Sequence, residues 1–117
     1  MRMLVVDDNP AFRRVLRHFL EDLAQVHECE DGADALAAYE KQRPDWVLMD
    51  ISMPGVDGLI AMRQILAAHP EARIAILTQA DSAILRAAAA REGARRYFLK
   101  DDLTELRTFL GSPLASR

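Results

Sequence analysis

The constraint that narrows this chain most is a repeated junction. Four short apolar runs each stop at a polar residue. Met3-Leu4-Val5-Val6 stops at Asp7-Asp8, Trp46-Val47-Leu48-Met49 at Asp50, Ile74-Ala75-Ile76-Leu77 at Thr78, and Tyr97-Phe98-Leu99 at Lys100. Continuous apolar runs of this length are the pattern of strands covered on both faces, as in parallel sheets. If all four run the same way in one sheet, their C-terminal ends share an edge. Three carboxylates, a hydroxyl and an ammonium then converge in one crevice, where open α/β sheets bind ligands. Clustered carboxylates repel one another and call for a cation. A hard divalent ion, Mg²⁺ above all, suits such an oxygen-rich site.

Helical patterns separate the runs. Asn9-Pro10 opens a first helix, with proline suited to its first turn. Phe12, Val15, Leu16, Phe19, Leu20 and Leu23 follow at helical spacing, with Arg13, Arg14 and Arg17 assigned to the other, solvated face. A docking surface for a histidine-containing partner is the rival reading of those arginines. Gln25–Cys29 is a weaker strand, and Asp31-Gly32 a turn or cap before a helix from Ala33 to Lys41. Arg43-Pro44-Asp45 ends that helix. Pro54-Gly55 and Asp57-Gly58 mark a loop, and Leu59, Met62, Ile65 and Leu66 a third helix closed by His69-Pro70. Asp81 or Ser82 caps a fourth helix stopped by Gly93, and Asp101 or Asp102 caps a last one over 103–110. Five strands alternating with five helices over short connections predict a doubly wound parallel α/β sheet. Leu114–Arg117 reads as an unstructured tail.

The chain has 117 residues, enough for one domain. Its net charge of −3 argues against a nucleic-acid or anionic-membrane surface. The single cysteine, Cys29, rules out an internal disulfide, fits a reducing compartment, and reads as a buried strand residue. No apolar run approaches the roughly 20 residues that span a bilayer, and the first residues already read as a strand, so the expected location is the cytoplasm. His18, His27 and His69 lack metal-ligand spacing and read as surface residues. Arg86, Arg91, Arg95 and Arg96 read as a solvated patch with no nucleic-acid motif beside it.

The residues at the strand ends, taken in order, resemble the receiver domain of two-component response regulators. The resemblance spans residues 3 to about 110. It is carried by Val-Val-Asp-Asp-Asn-Pro at the first strand, Leu-Met-Asp-Ile-Ser-Met-Pro-Gly-Val-Asp-Gly at the third, Thr78 after the fourth, and Lys100 after the fifth with Tyr97 three residues earlier. It implies a flavodoxin-like fold with strand order 2-1-3-4-5, a receiver domain over 1–110, and a tail or linker start over 111–117. It implies Asp50 as phosphoacceptor, Asp7, Asp8, Asp50 and the Ser52 carbonyl as Mg²⁺ ligands, and Lys100 as the cation facing the phosphoryl group. Thr78 and Tyr97 become a switch pair acting on the face of the fourth helix, fifth strand and fifth helix, with Tyr97 turning from an exposed to a buried rotamer. The implied partner is a sensor histidine kinase or phosphotransfer protein. Homodimerisation on phosphorylation is allowed for, as is a C-terminal DNA-binding domain outside this chain, with no direct nucleic-acid or membrane contact.

Such a domain catalyses only its own phosphorylation and dephosphorylation. The stretch 93–101, ending in Lys100-Asp101 where many receivers have Lys-Pro, resembles receivers that carry a LuxR-type helix-turn-helix. Gln79, where a small residue is common, bears on phosphorylation and hydrolysis rates. Two rivals remain at this level. One is a receiver-like interaction module that works without phosphate. The other is an aspartyl-nucleophile phosphatase, disfavoured because Ser52 stands where such enzymes carry a second acid.

Overall fold

The structure, a computed structural model, describes residues 1–52 and 57–116. Five strands form one parallel sheet: β1 (Arg2–Val6), β2 (Gln25–Cys29), β3 (Trp46–Met49), β4 (Ile74–Thr78) and β5 (Arg96–Leu99). Their order is β2-β1-β3-β4-β5. The five helices are α1 (Pro10–Phe19), α2 (Ala35–Gln42), α3 (Gly58–Ala68), α4 (Ala83–Arg91) and α5 (Leu103–Leu110).

The side-chain alternation of the strands sorts the core into two layers. Leu4, Val6, Val47, Met49, Ile74 and Ile76 pack with Ala35 and Tyr39 of α2, Ala61, Met62 and Ile65 of α3, and Ala89 of α4. Met3, Val5, Trp46, Leu48, Ala75, Leu77 and Phe98 face the other way and pack with Leu16 of α1 and Leu106 and Leu110 of α5. Each fully buried Leu or Ile contributes roughly 1.5–3 kcal/mol, which is why a four-residue run such as 46–49 suffices to seat a central strand.

Four helix starts are capped by side chains: Ser82 and Asp102 are caps that the sequence offers, Asn9 stands where it opens the first helix, and Asp57 reads from the sequence only as a loop residue. The side chains of Asn9, Asp57, Ser82 and Asp102 accept the amides of Phe12, Ile60, Leu85 and Glu105 at 3.1, 3.0, 3.2 and 3.3 Å. The segment 33–41 differs in detail. A 3₁₀ turn over Gly32–Asp34, capped by Asp31, precedes α2. Its end is made by Arg43 in the left-handed region, φ 46°, directly before Pro44. Gly93, at φ 108°, closes the α4 end as expected.

Three assignments are corrected. Arg13 is buried and Val15 is 57% exposed, the reverse of the expected apolar stripe of α1. The reason is spacing: Arg13 shares its helix face with Leu16 and Leu20, and an ionic partner lies beneath it. His69 is nearly enclosed, its side chain 12% exposed, with Nε2 2.9 Å from Glu40 Oε2 and its ring tilted on Tyr39. The segment read as a free tail forms a short 3₁₀ helix over Pro113–Ser116. Ala115 is buried there, and its carbonyl accepts Trp46 Nε1–H at 2.8 Å and an Arg73 guanidinium N–H at 2.9 Å. An indole N–H inside a core must find an acceptor, and this carbonyl is the one it finds. The loop position Pro54-Gly55 lies outside the described residues.

Candidate phosphoacceptor site

Backbone pairing brings the strand ends level. The amide of Asp7 donates to Cys29 O at 3.0 Å, that of Asp50 to Val6 O at 3.0 Å, and that of Lys100 to Thr78 O at 2.9 Å. These bonds continue the register Val6↔Met49 and Met49↔Ile76, so Asp7, Asp50 and Thr78 leave the sheet on one edge. The edge includes the β1–β3 junction, where the chain turns to opposite faces and a crevice opens.

Asp7, Asp8 and Asp50 each present a carboxylate oxygen within 4.8 Å of the others. Asp7 and Asp50 are buried, whereas Asp8 is exposed. Asp7 Oδ1 accepts the Asn9 amide at 2.9 Å, and Asp50 Oδ1 accepts the Ser52 amide at 3.0 Å. Their second oxygens converge on one ammonium. Lys100 Nζ lies 2.7 Å from Asp7 Oδ2 and 3.1 Å from Asp50 Oδ2. Burial pushes the Lys100 ammonium toward a lower pKa, but the bonds and charges of Asp7 and Asp50 outweigh it and hold it above the ordinary lysine value. The Phe12 ring, with its centroid 4.5 Å from Nζ, covers the same cation. Mixed carboxylate oxygens open to solvent on the Asp8 side are the donor set a hard divalent ion takes, so the residues present fit Mg²⁺. Asp8, Asn9, Asp50, Ser52, Gln79 and Lys100 line a cavity of about 150 Å³ above them. Gln79 is exposed at its mouth.

The remaining expected residues sit around this cluster. Thr78 is fully buried, its Oγ1 3.4 Å from Ser52 Oγ and 3.5 Å from the Ala80 amide. Tyr97 is half-buried, and its hydroxyl donates to the Ala80 carbonyl at 2.6 Å. The Arg86 guanidinium lies 4.5 Å from the Tyr97 ring centroid and also meets Asp81, so the arginine patch is paired at this point and not simply solvated. Burial pushes the Tyr97 phenol above its ordinary pKa.

Two residues at the site escaped the sequence reading. Gly58, noted only as a turn former, starts α3 against the Asp50 backbone. A Cβ there would clash with the Asp50 carbonyl oxygen and stand 2.8 Å from both the Asp50 carbonyl carbon and Ile51 Cα. Arg13 donates to the Asp7 carbonyl through one guanidinium nitrogen and to Glu28 Oε1 through Nε at 2.8 Å. Its spacing with Leu16 and Leu20 was the signal available.

The family model of the response regulator receiver domain matches residues 3–110. The chain belongs to that family. A Bacillus subtilis transcriptional regulatory protein, YhcZ, is 36% identical over 104 residues, covering 86% of this chain and 49% of the relative. The chain thus spans about half the length of that relative and of YxjL from the same organism, at 50%. The chemotaxis protein CheY of Listeria monocytogenes is 31% identical over 102 residues, with 86% of each chain covered. Among solved structures, a LuxR-family two-component response regulator from Aurantimonas sp. SI85-9A1 superposes with a TM-score of 0.91 at 33% identity, covering 99% of this chain and 86% of that one. The BeF₃-activated receiver domain of Klebsiella pneumoniae RstA superposes with a TM-score of 0.83 at 28% identity, covering 96% and 100%. The receiver domain is therefore of the two-component type, and its likeness to LuxR-family regulators agrees with the reading of residues 93–101. No helix among the described residues is long and apolar enough to cross a membrane.

Proposed function

We propose that this receiver domain takes a phosphoryl group on Asp50 and signals through the change that follows. The observation that supports it best is the Lys100 ammonium bridging Asp50 and Asp7 at the base of an acid-lined cavity. One oxygen of Asp50 forms the new bond to phosphorus. The bond from phosphorus to the donor breaks, and its electron pair leaves with the imidazole of a phosphohistidine or with the carboxylate of an acyl phosphate. Such a transfer depends mainly on placement and charge neutralisation. Asp7, Asp8, Asp50 and the Ser52 carbonyl would hold Mg²⁺, which when bound would supply divalent charge to offset the phosphoryl oxygens. Lys100 supplies the second positive charge, as a compact cation on a flexible stem that can leave Asp7 for a phosphoryl oxygen.

Thr78 donates its hydroxyl hydrogen to a phosphoryl oxygen once one is present, and draws its loop inward. Tyr97 follows because its hydroxyl is tied to Ala80 in that loop. The domain catalyses only its own phosphorylation and slow dephosphorylation. A sensor histidine kinase or phosphotransfer protein is the donor, and a DNA-binding domain of the LuxR type is the output joined beyond this chain, with homodimerisation as a further consequence of phosphorylation. The receiver unit is residues 1–110, in the cytoplasm.

The test is intact mass after incubation with acetyl phosphate and Mg²⁺. The parent gains one phosphoryl group and Asp50→Asn gains none. Labelling of Asp50→Asn to the parent's level would place the phosphoacceptor elsewhere.

A further inference from the structure

We infer that Arg13 is a positioning residue for the metal-holding end of β1, a role that rests on the acid cluster reading above. The guanidinium is buried on α1 yet ends on the backbone carbonyl of Asp7. That carbonyl and the amide of Asp8 belong to one rigid peptide plane. Holding the carbonyl therefore sets the angle at which Asp7 and Asp8 present their carboxylates. The other side of Asp7 is held by β2, through the Asp7 amide on Cys29 O at 3.0 Å. Arg13 closes the same loop from α1 by anchoring its Nε on Glu28, the residue before Cys29. Glu28 is fixed in turn by Arg17, whose Nε and terminal nitrogen donate to Oε2 at 3.0 and 2.7 Å. The acid pair is thus clamped between β2 and α1, at a point where Asp8 itself is exposed.

The task suits a guanidinium. Its planar fork reaches a carbonyl and a carboxylate at once with a fixed angle between them, whereas an ammonium on a flexible stem is free to abandon one. Groups that orient metal ligands without touching the metal typically change affinity by about 10–100-fold when removed.

The experiment measures Mg²⁺ affinity by calorimetry on the unphosphorylated protein, with folding followed by circular dichroism. Arg13→Ala is expected to bind Mg²⁺ at least about 10-fold more weakly, and Arg13→Lys to fall between it and the parent. Leu110→Ala, a core truncation at the far end of α5, loosens the fold without reaching the site and is expected to keep the parent affinity. If Arg13→Ala does not fold, Arg13→Lys carries the comparison. A loss smaller than about threefold, an equal loss in Leu110→Ala, or a parent that binds no Mg²⁺ overturns the assignment. A parent that binds Mg²⁺ but takes no phosphoryl group on Asp50 ends the functional reading and leaves the role of Arg13 standing.

Discussion

Tyr97 donates its phenolic hydrogen to the Ala80 carbonyl at 2.6 Å, which ties the β5 side chain to the loop after Thr78. The expected exposed rotamer is not the one seen: the ring is half-buried and lies under Arg86. Thr78→Ala should still accept phosphate, because Asp50, Asp7 and Lys100 are untouched. With a beryllofluoride mimic bound, its Tyr97 resonances should move much less than the parent's. Equal NMR shifts at Tyr97 in both proteins would route the coupling elsewhere. Tyr97→Phe should keep phosphate acceptance and lose about 1 kcal/mol in urea unfolding, the worth of one ordinary hydrogen bond.

Gly58→Ala should be among the most damaging single-methyl additions in the chain. The new Cβ has only backbone to push against, at Asp50 and Ile51, and backbone yields less than a side chain. A loss of about 1–3 kcal/mol in chemical denaturation is expected, with slower phosphorylation. Gly111→Ala is the internal comparison. Its nearest neighbour is Arg107 O at 3.5 Å, and its φ of −82° suits any residue. It should unfold at nearly the parent's midpoint, and a similar loss in both variants would dismiss the close approach as the cause.

Glu28 makes folding stability sensitive to acid. Burial pushes its carboxyl up, but the hydrogen bonds from Arg17 and Arg13 outweigh it and hold the pKa below the ordinary value. A group whose pKa is lower folded than unfolded contributes stability above its unfolded pKa, and loses that contribution as pH falls through the folded value. The gap in urea midpoint between the parent and Glu28→Gln should therefore be largest near about pH 7 and narrow below about pH 4. A gap that widens on acidification would mean that the carboxylate is not what the two arginines hold.

Trp46 should report the C-terminal turn and not the metal. As the chain's single tryptophan, four residues before Asp50, it invites use as a Mg²⁺ probe. It starts β3, however, four residues and about 13 Å of strand from Asp50, against Phe109, Arg73 and Ala115. Its fluorescence should stay flat through a Mg²⁺ titration and change on truncation after Gly111. Trp46→Phe, which keeps a ring but not the N–H, should speed amide exchange over 114–116.

Four of the five strands were legible because each is a short apolar run with a polar stop, and the stops are the candidate site residues; β2, over Gln25–Cys29, alternates and reads more weakly. Position places Thr78 and Lys100 at the crevice, and the roles proposed for them come from the resemblance to receiver domains. Arg13 was not legible in the same way: a charge on a helix is normally solvated, and only the carbonyl and carboxylate beneath it reverse that expectation. Ala115 was missed because the short mixed stretch after Gly111 carries no periodicity, and its anchor is a side chain 69 residues away. Gly58 looked like any turn glycine, since the approach of α3 to Asp50 exists only once both are folded.

That approach has a mechanical consequence. Asp50 is pinned by its amide on Val6, by the Ser52 amide on its carboxylate, and by Gly58 pressed against its carbonyl. The residue proposed to gain mass and charge is among the least able to move. Any displacement must be taken up by the groups that surround it, by a lysine on a long stem and a loop ending at Ala80. Asp50 would act as an anvil: among the described residues, the compliant neighbours are the Lys100 stem and the loop to Ala80, so the proposed response would run toward β4 and β5 before any partner is present.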